Sequence, residues 1–549
     1  MKNIKNLIIL ILAIFGVTSC GEWLNLKPED GVIRERYWQT KEEARAAVNG
    51  CYASLMENDM VINYFIWGEM RADFVEPTTT ANEDILDMRN GEITSSNRYT
   101  KWDLMYRTIN QCNTVIELAP KVLNIDMSFS EKALKQYLAE AVCIRSLAYF
   151  YLLRTFRDVP YVTKASIYDD QDYIVPKMPQ AQIEDSLVAC LKKIDMANDL
   201  PFSYSSVAES KGRFTAWGLK ALLADIYLWK GDYQECINLC LQIINSGQFS
   251  LIPTIRTEIL ISAESSPTGK QEYSYHANAT SIKTLFDELY VKGNSVESIF
   301  ELQFSKEKPT PFYLWFQPGR PYLQQNINVP TEYFITSSID RSWFDIRGTG
   351  FSYTSGGTIW KWAGFEANST NSRLSNEYDC NWIFYRLGEI YLMYAEALTQ
   401  QALAEDNAAK LEAALEAVRK IRVRGNATDA TDLFFDYTEG QELDGLAMEE
   451  FILYERAREL SYEGKRWFDV LRHARRNNYA ERNLNYLLKM AMYCASLDKI
   501  STLQTKWSTK VVDNDGKNLY GSHYLPINLD QIKANKKLIQ NEFYKDNIK

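Results

Sequence analysis

The sequence predicts a mainly α fold, with about four tetratricopeptide-like helix pairs forming a superhelical scaffold and an irregular, loop-rich subdomain containing short strands. Three observations predict it. Apolar and small residues recur at helical spacing through Lys41–Met56, Trp102–Leu118 and Ala133–Phe156. From Phe214 to Gly247 the pattern of a helix–turn–helix repeat is visible. Ala224 and Tyr227 take the small and aromatic positions of a first helix, Gly231 falls in the turn, and Cys236 and Cys240 take inner positions of a second helix. Between about 250 and 380 the helical period fades, and short Tyr, Phe and Ile runs alternate with Gly, Ser, Thr, Asn and Pro.

Taken in order, the chain opens with Lys2 and Lys5, then an apolar run of 11 residues from Leu7 to Val17. That run is too short to span a bilayer, which needs about 20 residues. Val17-Thr18-Ser19-Cys20 supplies a small-residue cleavage site, so residues 1–19 are expected to be a lipoprotein signal peptide and Cys20 the lipidated first residue. Two or more acyl chains hold a protein firmly to a membrane, each methylene contributing about 0.8 kcal/mol. Residues 20–40 are then the lipidated terminus and spacer. Helix pairs are expected over 41–118, 132–200, 214–247 and 381–424. The last pair runs from Asn381 to about Gln401 and from Ala408 to Arg424, with Ala395, Glu396 and Ala397 on its close-contact face. The broad division is an N-terminal helical part (41–250), an irregular subdomain (251–380) and a C-terminal part with the fourth pair and closing helices (381–549). Within the subdomain, Ser298 to Phe304 alternates like a strand.

Composition narrows function. A net charge of −10, made more acidic when Lys2 and Lys5 leave, argues against binding nucleic acid. Three dispersed histidines (His276, His473, His523) and nine cysteines without a CxxC pair offer no metal site, and no cofactor is implied. Cys236 and Cys240 are expected to pack rather than bond. No GxSxG, HExxH or P-loop pattern appears. Glu459, Glu463, Arg466 and Asp469, spaced by three and four, are expected to form an ion network between helices rather than a catalytic set.

Several ordered motifs then resemble the SusD/RagB family across nearly the whole chain. Cys20 is followed by Leu24-Asn25-Leu26-Lys27-Pro28, and Asn49-Gly50-Cys51-Tyr52 closes the first helix. Arg145 with Tyr149 and Phe150 precedes Phe156-Arg157-Asp158-Val159-Pro160, where Arg157 stands at a position the family usually fills with glycine. Arg213-Phe214-Thr215-Ala216, Tyr385-Arg386-Leu387-Gly388-Glu389, Tyr454-Glu455-Arg456, Glu463-Gly464 and Arg466-Trp467-Phe468-Asp469 follow, and Tyr524-Leu525-Pro526-Ile527 comes near the end. The resemblance implies four tetratricopeptide-like units plus an irregular subdomain, in which Trp360-Lys361-Trp362 looks like a strand of the family and is expected to be structural. It also implies a non-enzymatic, surface-facing outer-membrane lipoprotein that binds a nutrient and hands it to a SusC-like TonB-dependent barrel. The cargo it implies is an oligosaccharide or polysaccharide, with a peptide as the alternative; apart from the resemblance, a secreted glycan hydrolase is the second alternative function.

A sugar offers an apolar C–H face and a hydroxyl rim, so its receptor needs flat rings beside amide, carboxylate or guanidinium groups. Two stretches supply that mixture. One is Tyr64, Trp67 and Asn82, after the first helix, where family members place ligand contacts; the other is Tyr313, Trp315, Arg320 and Tyr322, in the proline-bearing loop 309–325. These seven are the candidate ligand contacts, and pre-ordering by proline lowers the entropy cost of binding.

Overall fold

The computed structural model describes residues 37–167, 173–261, 272–334, 345–427, 444–512 and 518–547. The expected signal peptide, Cys20 and the spacer up to residue 36 lie outside them. Helix α1 (Lys41–Leu55) begins at Thr40. The Thr40 hydroxyl accepts from Glu43 N at 3.2 Å, and the Glu43 carboxylate accepts from Thr40 N at 2.9 Å, which satisfies two of the free donors of the first turn. Helices α2 (Asn58–Glu69), α3 (Glu83–Asn90), α4 (Asp103–Val122) and α5 (Glu131–Phe156) follow. Helix α4 packs between α1 and α5. From Cys143 to Phe156 every residue of α5 is buried, because neighbours cover it all round.

Helix α6 (Gln180–Ala197) lies on α5 and on α7 (Ala216–Lys230). Gly231, at φ +86°, turns the chain into α8 (Tyr233–Ile244). Left-handed backbone of this kind favours glycine. The fourth pair is α9 (Leu387–Glu405) and α10 (Ala408–Arg424), and α9 also packs on α8. Ala395 and Ala397 are fully buried, as are Cys236 and Cys240, whose sulfurs are 3.9 Å apart and unbonded. Small side chains at these positions let the helices approach closely. Helices α11 (Gly445–Glu459), α12 (Arg466–Tyr479), α13 (Glu481–Cys494) and α14 (Ile500–Ser508) close the fold.

Two short antiparallel pairings tie the irregular segment to this frame. Strand β1 (Val75–Pro77) pairs with β3 (Leu323–Gln325), and β2 (Ser298–Leu302) pairs with β4 (Trp382–Arg386) across a register shift. Every residue of β2 and β4 is buried. The fourth pair therefore starts later than its sequence suggests: Trp382–Arg386 is strand, and the helix begins at Leu387. Trp360–Ala363 is a single helical turn rather than a strand, with both tryptophans buried. One hydrophobic core runs from Trp38 to Leu538, and a smaller one around Phe286, Phe351 and Trp360 belongs to the insert.

A buried ion network cements the centre. Arg347 reaches Asp345 and Glu455 at 2.7 Å and Glu459 at 3.0 Å. Arg386 and Arg424 also close on Glu459, and Arg386 and Lys361 hold Glu463 at 2.9 and 2.8 Å. Asp469 pairs with Arg456 and Arg472, and Arg466 chelates Asp73 at 2.9 and 3.0 Å. Glu459, Glu463, Arg466 and Asp469 are thus all structural and all buried.

Beside the network, α2 meets the turn before α12 backbone to backbone. A Cβ on Gly68 would lie 1.9 Å from the Gly464 carbonyl oxygen, and Gly464 itself has φ +73°. Glu69 accepts from Gly464 N at 2.8 Å and Lys465 N at 3.1 Å, locking the same contact.

Candidate ligand-binding cleft

The β1–β3 pairing decides which surface residues meet. Its register sets Pro77 opposite Leu323, and the chain beyond continues the contact. Thr78 N donates to Tyr322 O at 3.0 Å, and the Thr78 and Thr80 hydroxyls donate to Pro321 O, both at 2.5 Å. The loop 309–325 is thereby fixed against the segment that leads into α3 and α4. Thr310 adds a second anchor, its N and Oγ1 donating to Tyr378 O at 2.7 and 2.9 Å.

The result is a cleft of about 690 Å³ that contains Asn82, Trp315 and Tyr322. Three of the seven candidate residues, from stretches over 200 positions apart, converge there. The Trp315 and Tyr322 rings meet edge to face at 5.5 Å, and Tyr99 stands 6.4 Å from Trp315 in the same arrangement. Tyr322 is half-buried and Trp315 is 7 % exposed, so Tyr322 offers more of its ring to the cleft. The polar lining comes from Asp59, Asn63, Asp84, Arg98, Lys101 and Asp103. Arg98 Nε donates to Asp84 at 2.8 Å, and Lys101 pairs with Asp530 at 3.2 Å. Burial pushes the Tyr99 hydroxyl above its usual range. The phenol stays protonated and presents a neutral donor and acceptor.

The other candidates are placed differently. Tyr64 is 1 % exposed, packed against Tyr151, Trp382 and Phe384, and Trp67 is fully buried against Phe156. Neither ring is available to a ligand, because α2 is covered on nearly every side. Trp67 does serve the cleft indirectly: its indole N–H donates to Tyr99 O at 2.7 Å and holds that residue from behind. Tyr313 turns away onto Tyr378, and Arg320 is exposed at the loop tip, so neither lines the cleft. Asn82 lines it but caps α3, its side-chain oxygen accepting from Ile85 N at 3.1 Å and its amide reaching Tyr99 Oη at 3.4 Å. Sequence reasoning missed Arg98, Tyr99, Lys101 and Asp103. Their signal was the alternation of charge and ring just before α4, a pattern equally common in solvated turns.

A rigid helical-repeat frame holding a ring-and-charge cleft is a binding scaffold in form. Two family models match: one described as the SusD family, over residues 297–544, and one described as starch-binding associating with outer membrane, over residues 23–228. Between them the two matches span most of the chain, which is similar to the SusD family in both its N-terminal and its C-terminal part. It is 26% identical over 519 residues to SusD-like protein P38 of Formosa agariphila, covering 86% of this chain and 92% of that one. SusD-like protein P2 of the same organism is 22% identical, with 86% and 91% covered. Among solved structures, a SusD superfamily protein from Bacteroides thetaiotaomicron superposes with a TM-score of 0.66 at 20% identity, covering 92% of this chain and 99% of its own. Surface glycan-binding protein A of that organism gives 0.61 at 20% identity, with 92% and 99% covered. These likenesses fix the fold.

Proposed function

We propose that this protein binds an oligosaccharide or polysaccharide at the outer membrane, tethered through lipid on Cys20, and delivers it to a SusC-like TonB-dependent barrel without chemical change. The observation that carries the reading is the convergence of Trp315, Tyr322 and Tyr99 with Asp84, Arg98 and Lys101 in one cleft. Rings stack on the C–H face of a pyranose, and the charged rim satisfies its hydroxyls. Association with the outer membrane follows the description of the matching family model. No helix among the described residues is long and apolar enough to cross a membrane, which suits a lipid tether.

A stacked ring contributes about 1 kcal/mol beyond its buried area, and ordering costs subtract from the sum. Affinity is therefore expected in the micromolar range or weaker, which suits a cargo that must be released. Tyr322→Ala should weaken binding to the cognate glycan by about fivefold in titration calorimetry with the melting temperature unchanged. Unaltered affinity would remove the cleft from the proposal. A Cys20→Ala protein should lose detergent-phase partitioning, and the wild type should copurify with a large barrel in mild detergent. Product release from a glycan panel would mark a hydrolase, and retention of peptides in place of glycans would mark a peptide carrier.

A further inference from the structure

Asn63 has no structural reason to stand where it does on α2. It lies in the second turn, beyond the positions where an asparagine caps a helix. Inside a helix asparagine is a poor former, because its amide competes for backbone groups. The residue is 7 % exposed, yet its side chain hydrogen-bonds to no described residue. A polar group buried without a partner costs stability. Its Oδ1 and Nδ2 are not among the sealed, unpartnered atoms of the interior, and Asn63 lines the cleft that holds Trp315 and Tyr322. Since α2 is covered on nearly every other side, the amide opens on that cleft.

Its neighbours in the cleft are already engaged. Asn82 is used at both ends, its oxygen by Ile85 N and its amide by Tyr99 Oη. Arg98 donates to Asp84, and Lys101 pairs with Asp530. Asp59 and Asp103, both exposed, also line the cleft and form no ion pair with a described residue. With both cations taken and two carboxylates open to solvent at the mouth, the field there opposes an anionic ligand. A primary amide sets an acceptor oxygen and an N–H donor side by side in one plane. Two adjacent hydroxyls of a pyranose match that pair: one O–H donates to Oδ1, and the next oxygen accepts from Nδ2. A ligand carboxylate or sulfate only accepts, and leaves Oδ1 unsatisfied.

We propose that Asn63 is the specificity-determining contact of this cleft, its amide reading two adjacent free hydroxyls of an uncharged sugar whose ring lies on Tyr322. The inference rests on the reading of the cleft as a glycan site and adds to it the class of sugar and the residue that selects it. It also explains why a helix keeps an amide that the protein itself leaves without a partner: stability is given up at a position that binds.

The test titrates full-length protein in detergent micelles, by calorimetry, with maltotetraose, cellotetraose and mannotetraose, and with tetragalacturonate as their acidic counterpart. The best of the neutral tetramers should bind at least tenfold tighter than tetragalacturonate. Asn63→Leu, of nearly the same volume, and Asn63→Ala should each weaken that tetramer tenfold or more, since a site built around a hydroxyl discriminates strongly. The melting temperature of Asn63→Leu should be unchanged or raised, the opposite of what loss of a structural asparagine gives. The proposal is overturned if no neutral tetramer binds, if tetragalacturonate binds as tightly as the best of them, if both variants bind like the wild type, or if both melt lower. Neutral-glycan binding that falls with Tyr322→Ala but not with either Asn63 variant would leave the proposed function standing and remove Asn63 alone. Glycan binding indifferent to Tyr322→Ala would remove the cleft itself.

Discussion

Arg157 ends the 26-residue helix α5 with φ +68° and ψ −89°. A side chain at such a φ costs about 1–2 kcal/mol, and glycine avoids that cost but loses about 0.5–1 kcal/mol of backbone freedom on folding. Arg157 also pairs with Asp158, 3.5 Å away and partly exposed. Arg157→Val, whose branched side chain tolerates this backbone worst, should lower stability more than Arg157→Gly, as read from urea midpoints. The family's usual glycine at this position has its physical reason here. Glu69 is a second residue with a measurable signature. Burial raises its pKa to about 8, against the pull of the Lys465 and Gly464 amides. The folded state then holds a proton that the unfolded chain releases near pH 4.5, so this residue's contribution falls as pH climbs from about 4.5 to about 8 and is flat above. Glu69→Gln keeps an oxygen for the two amides and should flatten the stability profile across that window, with the largest relative gain above pH 8.

At the scale of elements, α2 and the turn before α12 meet so closely that, among the described glycines, a Cβ on Gly68 would meet the nearest atom. Gly68→Ala forces a methyl group into the Gly464 carbonyl, and two backbones must separate to admit it. A loss of about 3 kcal/mol or more is expected in chemical unfolding, with Gly50→Ala, whose Cβ would meet open space, as the control. Helices were the most legible elements in the sequence. The 3.6-residue period, together with the repeat pattern at 214–247, located α1, α4, α5, α7, α8 and α10 to within a few residues. Strand β4 was not legible, because Trp382–Arg386 is buried on both faces and a continuous apolar run has no period to separate strand from helix. The turn Trp360–Ala363 failed for a different reason: rings either side of Lys361 alternate as in a half-buried strand, yet all four residues are buried. The candidate cleft was half legible. Ring-rich loops are visible in sequence, but whether a ring points outward depends on neighbours contributed by distant segments, and Tyr64 and Trp67 were lost on that account. Trp315 and Tyr322 were kept together by a three-residue pairing whose partner lies about 250 positions earlier.

For the whole molecule, charge is organised inward as well as outward. Burial would raise the carboxyl of Glu459, but Arg424, Arg386 and Arg347 hold it well below the usual range. Glu455 and Glu463 are likewise drawn down to about 2 against the effect of burial. Depressed folded-state values mean that the network's stability is fully present above about pH 4.5 and is lost as pH falls towards 2. Acid unfolding should be cooperative in that interval, followed by tryptophan fluorescence. Glu459→Gln leaves three guanidinium groups short of one carboxylate and should cost about 3–5 kcal/mol at neutral pH, while shifting the acid midpoint upward.

The same interior joins the beginning and end of the chain. Arg71 donates to the His523 carbonyl, Arg89 to that of Cys494, and Asp73 meets Arg466. A nascent polypeptide with this wiring has its early helices waiting, apolar faces uncovered, until residues some four hundred positions later have been made. A stop codon before His523 removes the carbonyl that Arg71 reaches and should yield degraded rather than shortened protein.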